Sequence, residues 1–421
     1  MDSLSPELIH EIFHHLDDKL DVARFRLVQR TFAELGKEAL FSCIYVQPSQ
    51  HSLSRLLEIA RHPSCAQYVR TVALSVDAMK IMVWRPFTEQ VGSKITDNID
   101  YQTLAVFRNI VDECQNFQQS SDYAAMLSAS FSRLPRLSAL ALREVSSSTY
   151  PRSETLTLMD RYAHAVDPPQ FHGSWGEKDH LRGFSALIDA AYFAGTTLNS
   201  FTTDGLIDQA LFDNRLLLSR AKSVFRCCRV LKLLFCGEEP LPALYRHPLA
   251  PRMLETPLFD VLAPALDLEE LAVGFSACPM AGRGGALFTK TLGRQHVWPK
   301  LREVNLGTID LPHQELLAFL DRHRATLRGF TVSCCNLVGG SWGEVMMFLR
   351  DSMKLKKLGL DGTLSDGSTT FYSSLELAMM IDYVLSDGKC LPGRRRLQLD
   401  GQQPPRNTGS TGSYIEQPRA V

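Results

Sequence analysis

The sequence predicts an α/β protein: a short three-helix unit at the N-terminus, then an irregular solenoid of alternating strands and helices. Three observations predict it. Apolar residues recur at helical spacing through the first 45 residues. A strand pattern of the form LxxLxL returns along most of the remaining chain. Helix-like stretches separate successive copies, which is the signature of a quasi-one-dimensional repeat array.

The first helix starts at Ser5-Pro6-Glu7. Ser5 suits the cap, Pro6 the first helical position, and Glu7 the positive end of the helix dipole. Leu4 is placed to staple onto Ile9. Leu8, Ile9, Ile12, Phe13 and Leu16 share one side of the helix, which Asp17-Asp18-Lys19 ends. A second short helix carries Val22, Phe25, Leu27 and Val28. A third runs from about Thr31 to Leu40 with Phe32, Leu35, Ala39 and Leu40. Helices this short do not close a core alone, so they share apolar surface with the following domain or with another chain.

These residues carry a resemblance. Leu4-Ser5-Pro6-Glu7-Leu8-Ile9-His10-Glu11-Ile12-Phe13-His14-His15-Leu16, followed by Arg26-Leu27-Val28-Gln29-Arg30-Thr31-Phe32, resembles the F-box. Ser5 stands where the family usually has proline, and Gln29 where it has cysteine. The resemblance covers residues 1–45. It implies a Skp adaptor bound through Leu4, Pro6, Leu8, Ile9, Ile12, Leu16, Leu27 and Val28, and through that adaptor a cullin–RING ligase.

Beyond residue 60 the strand pattern reads Val69-Val72-Leu74, Leu137-Leu140-Leu142, Leu231-Leu233, Leu268-Leu271-Val273, Leu301-Val304-Leu306, Leu327-Phe330-Val332 and Leu355-Leu358-Leu360. Leu198-Phe201 is a weaker instance and Leu397-Leu399 a last strand. From Leu231 the central positions Leu271, Val304, Phe330 and Leu358 follow at intervals of 40, 33, 26 and 28 residues. The last two intervals suit a leucine-rich repeat, and the longer ones imply insertions. Helical segments contain Leu316, Leu317, Phe319 and Leu320, then Val345, Phe348 and Leu349, then Leu375, Ala378, Met379 and Val384. The apolar stripe Leu104, Phe107, Ile110 and Val111 is another. The competing architecture is a doubly wound sheet, which the lack of a glycine-rich turn after the first strand disfavours.

The array is expected over 46–400, with insertions near 146–176, 237–257 and 274–293 and a disordered Gln-, Pro-, Gly- and Ser-rich tail at 401–421. Its leucines point inward, so the intervening residues form the opposite, concave face. Arg143, Lys232, Glu270, Glu303, Asn305, Thr331, Lys357 and Asp361 are the candidate substrate contacts there, beside Ala139, Ala141, Val230, Ala272 and Ser333. Small side chains with scattered charges of both signs suit a protein or peptide.

Several features narrow the function. A net charge of -1 gives no basic field for nucleic acid or an anionic membrane. No apolar run approaches the ~18 residues of a membrane span, and acidic residues interrupt the first 25. Ten cysteines with no CxxC pair read as small hydrophobes of the cytosol or nucleus. His10-Glu11-Ile12-Phe13-His14 spells HExxH, with Glu34 near the spacing of a third zinc ligand. Both histidines lie off the apolar side of the helix, so no metal, cofactor or catalytic residue is expected. Gly282-Arg283-Gly284-Gly285 lacks phosphate-loop spacing. Arg394-Arg395-Arg396 is a short basic strand edge, and the four tryptophans fit packing roles.

The expected function is the substrate-recognition subunit of a Skp–cullin–F-box ubiquitin ligase, similar to fungal F-box proteins of undefined substrate. It would act in the cytoplasm or nucleus as a non-catalytic subunit. The alternatives are a repeat scaffold with a degenerate F-box and, more remotely, a zinc hydrolase.

Overall fold

The structure is a computed structural model that describes residues 4–16, 19–75, 113, 116–143, 177–203, 214–235, 257–275, 285–366 and 372–386. The Leu104–Val111 stripe, the 146–176 insertion, Leu397-Leu399 and the 401–421 tail lie outside them, as does all of the 237–257 insertion but Pro257.

Nine parallel strands form one sheet. They are β1 (Cys43–Val46), β2 (Thr71–Ser75), β3 (Ala139–Arg143), β4 (Ser200–Thr203), β5 (Val230–Phe235), β6 (Glu270–Phe275), β7 (Glu303–Gly307), β9 (Gly329–Ser333) and β11 (Lys357–Asp361). Each pairs with the next in chain order, so the sheet has no reversal of strand order, and the doubly wound alternative is excluded. Two three-residue strands, β8 (Asp310–Pro312) and β10 (Asn336–Val338), pair in a second sheet.

The inward positions explain the register. Val72, Leu140, Phe201, Leu231, Leu271, Val304, Phe330 and Leu358 are successive partners in one buried row. Full burial of such a side chain contributes about 1.5–3 kcal/mol, and a one-residue slip would turn the whole row to solvent. The first leucine of each pattern sits just before its strand and is also buried at 137, 198, 268, 301 and 327. At β5 this position is Cys228, whose thiol burial pushes up to about 12. It is a small hydrophobe standing in for leucine.

Strand entry repeats the same bonding from coil to coil. The carbonyl of Arg70 accepts the N–H groups of Ser138 and Ala139, and that of Ser138 accepts those of Asn199 and Ser200. The pattern continues through Asn199, Arg229, Glu269, Arg302 and Arg328. Strand exits repeat too. Thr308, Cys334 and Gly362 follow β7, β9 and β11 with φ of 53, 52 and 64.

Helices lie between the strands and pack side by side along the array. They include α4 (Gln50–Arg61), α6 (Ser121–Phe131), α7 (Glu177–Phe193), α8 (Arg215–Phe225) and α9 (Pro257–Leu262), with the four-residue α5 (Pro63–Ala66) directly before β2. Toward the C-terminus come α10 (Gly285–Lys290), α11 (His313–Arg322), α12 (Trp342–Ser352) and α13 (Ser374–Leu385). Trp298 and Trp342 take packing roles, their indole N–H groups donating to the carbonyls of Leu262 at 3.2 Å and Ser365 at 2.9 Å.

Two expectations are corrected. The 274–293 insertion is shorter, because Gly274 and Phe275 complete β6 and Gly285 opens α10; only 276–284 lies outside the described residues. The sheet begins at Cys43, within residues 1–45 rather than after them, since Cys43–Val46 pairs with β2. Helix α13 buries Leu377 and Met380, whereas Leu375 is 72% exposed and Met379 also faces solvent. That helix is apolar on nearly every side, so its periodicity does not select a face.

Candidate interaction surfaces

The N-terminal unit comprises α1 (Pro6–His14), α2 (Lys19–Phe25) and α3 (Arg30–Phe41). Ser5 caps α1, its Oγ accepting the Leu8 N–H at 3.4 Å. Ile9, Phe13, Val22 and Phe32 form a small core distinct from that of the array. Phe25 adds edge-on contact with Phe13 at 5.2 Å and lies 4.8 Å from Phe32. Gly36 permits close helix packing, since a Cβ there would stand 2.6 Å from Phe13 Cζ. Arg26 Nε donates to the Ala33 carbonyl at 3.0 Å, tying the end of α2 to α3.

This packing sorts the residues expected at the adaptor. Ile9, 3% exposed, belongs to the local core rather than the outer surface, a correction to its assignment as a contact. Leu4, Ile12 and Leu16 are half-buried and Pro6 is exposed. Leu8, Leu27 and Val28 stand out at 54%, 87% and 59%. Helix α1 therefore has an inward stripe through Ile9 and Phe13 and a second, more exposed one through Leu8 and Ile12. The exposed pair Leu27-Val28 follows α2 directly.

Two of the carboxylates in the zinc-site pattern are engaged by other side chains. Glu11 lies 3.5 Å from His15 Nε2, and Glu34 bonds Lys37 Nζ at 2.7 Å. Among the described residues no group of three His, Cys, Asp or Glu side chains is placed to hold a metal ion. All six described cysteines are free thiols; Cys228 and Cys335 are buried, Cys227 and Cys334 exposed. No helix among the described residues is long and apolar enough to cross a membrane.

The sheet face opposite the leucines brings the expected substrate contacts into rows. Lys232, Ala272, Asn305, Thr331 and Gly359 are successive register partners, as are Glu270, Glu303, Gly329 and Lys357. Their charges answer one another. Lys232 Nζ lies 2.6 Å from Glu270, and Lys357 Nζ reaches across Gly329 to Glu303 at 3.3 Å. Asp361 accepts the Gly362 N–H at 2.8 Å. Arg143 and Asn305 are exposed, and Thr331 is half-buried. Ala139, Val230, Ala272 and Ser333 are half-buried, while Ala141 is only 2% exposed and offers no open surface.

Sequence reasoning missed Tyr45, which occupies the outer row beside Ala73 on the first strand. Burial pushes its phenol up, against a smaller opposite effect of Arg143. It also missed the cations that follow the first leucine of three late strands, Arg302, Arg328 and Lys356. The signal was present as Leu301-Arg302, Leu327-Arg328 and Leu355-Lys356.

No family model matches the chain, and no curated protein matches it.

Proposed function

We propose that the chain is the substrate-recognition subunit of a Skp–cullin–F-box ubiquitin ligase. Residues 1–45 act as the F-box, and the sheet that follows is a leucine-rich-repeat-like array that holds a substrate protein. The observation that carries this reading is the coincidence of pattern and exposure. Leu8, Leu27 and Val28 match F-box positions and are apolar, yet the small core beneath them leaves them in water. Such side chains on a unit with so little core are suited to a partner chain. The receptor contributes no catalytic group. It raises the effective concentration of substrate lysines beside the ubiquitin donor and orients them.

One rival keeps a specific observation in its favour. Ser5 replaces the family's usual proline and uses its hydroxyl on the helix cap, which suits a scaffold that no longer recruits a ligase. Co-expression of the full chain with a Skp adaptor, cullin and RING subunit separates the two. The ligase reading expects a four-component assembly, lost in the Leu8→Asp, Leu27→Asp variant at an unchanged melting temperature. An unassembled but folded wild-type chain leaves the scaffold.

A further inference from the structure

At strand entry, the N–H of Arg328 donates to the Arg302 carbonyl at 2.7 Å and that of Lys356 to the Arg328 carbonyl at 2.6 Å. The three residues therefore stand in single file on adjacent coils, about 4.8 Å apart. One coil earlier the same file holds Glu269 and then Arg229, which neutralise each other at 2.6 Å. The later three positions are all cationic. Arg302 and Lys356 are exposed, and among the described residues neither has a carboxylate partner. The acidic groups on the same rim and face are already engaged: Glu303 by Lys357 at 3.3 Å, Asp267 by Lys300 at 2.6 Å.

Arg328 is held in place. Its guanidinium donates to the carbonyls of Leu327 and Ala325, both at 2.8 Å. Those bonds satisfy backbone acceptors, and among the described residues no carboxylate pairs with its charge. Like charges on neighbouring coils repel, and nothing within the described fold offsets them.

We propose that Arg302, Arg328 and Lys356 form a docking strip for an extended, carboxylate-rich segment of a partner protein. Three extended residues span roughly 10 Å, matching the length of the file. The ion pairs on the adjoining face and the chain's net charge of -1 leave no broad field for a nucleic acid, whose binding draws on many phosphate contacts. That the partner is a ligase substrate rests on the reading above; the strip itself does not.

The test is fluorescence anisotropy of a labelled octaglutamate peptide titrated with the full chain at low salt. Octaglutamine and a single-stranded oligonucleotide serve as competing probes. Octaglutamate is expected to bind in a salt-sensitive manner and octaglutamine not to bind. The Arg302→Glu, Lys356→Glu variant should weaken octaglutamate binding at least tenfold, and the Arg55→Glu control on α4 should not. Both reversed side chains are exposed, so the melting temperature should hold. No binding, binding that the reversal leaves unchanged, or preference for the oligonucleotide would overturn the strip. Adaptor assembly measured on the same wild-type chain keeps the two readings separate: failure of assembly with peptide binding intact removes the ligase and leaves the strip.

Discussion

Gly362 ends the last described strand in the left-handed region, at φ 64, and its Cα faces the Cys334 thiol of the preceding coil. An added Cβ would meet both a disfavoured dihedral and the sulfur. Gly362→Ala should therefore cost roughly 1–3 kcal/mol, read as a lowered urea midpoint. Removing the sulfur as well, in Gly362→Ala with Cys334→Ala, should return part of that loss and leave the dihedral part. His323 supplies a second single-residue test. Its Nδ1 lies 2.9 Å from the Phe319 carbonyl, and its Nε2 accepts the Trp298 N–H at 3.2 Å, an arrangement that requires the neutral ring. Burial holds His323 below the ordinary histidine value of 6.5, and burial does the same to nearby His296. Below that pH the unfolded chain takes up protons that the folded chain refuses. Stability is therefore fully present above about pH 6.5 and should fall as the pH drops below it. Melting temperatures measured between pH 8 and 5 should show this decline, and His323→Gln should flatten it.

The helical unit and the array have separate cores at the scale of elements, which makes their stabilities separable. Phe32 is fully buried among Ile9, Phe13 and Val22. Phe32→Ala should cost about 3–5 kcal/mol within that unit and speed hydrogen exchange through α1–α3, while amides of β5–β9 keep their protection. Uniform loss of protection would mean one cooperative unit. How far each element was legible follows from its chemistry. The late strands were readable because two or three inward residues of each are Leu, Val or Phe at fixed spacing. Strand β5 showed only two of its three anchors, since Cys228 occupies the third. Strand β1, Cys43–Val46, lacks a leading leucine. Strands β8 and β10 have three residues each, too few to display an alternation. Their polar line, in which Asn336 Nδ2 donates to Asp310 at 3.2 Å and Ser365 Oγ donates to Asn336 Oδ1 at 2.6 Å, has no hydrophobic signature. In α1 the apolar run Leu8-Ile9 and Ile12-Phe13 read as one face, and only the packed helices divide it into inward and outward stripes.

Over the whole molecule, sequential parallel pairing puts each coil in contact chiefly with its neighbours, so long-range order is built from local repetition. That arrangement places the helical unit at the start of the array. Arg70 and Glu38 form an ion pair between the two regions. The proposed receptor role would use this division, the helical unit for the adaptor and the sheet face for a substrate. The outer face was legible from the strand pattern, but which of its residues stand side by side, and the basic file, were not, because these join residues about 26 to 40 positions apart whose alignment depends on register.

On the proposed function, the exposed residues of the helical unit bind the Skp adaptor. Calorimetric titration of the purified full chain with that adaptor tests it most directly, alongside Leu27→Asp, where the wild-type side chain is 87% exposed and its loss removes little from the fold. Saturable binding by the wild type and at least tenfold weaker binding by the variant are expected, with both melting at the same temperature. Equal affinities, or no heat of binding from a folded wild-type chain, would contradict it.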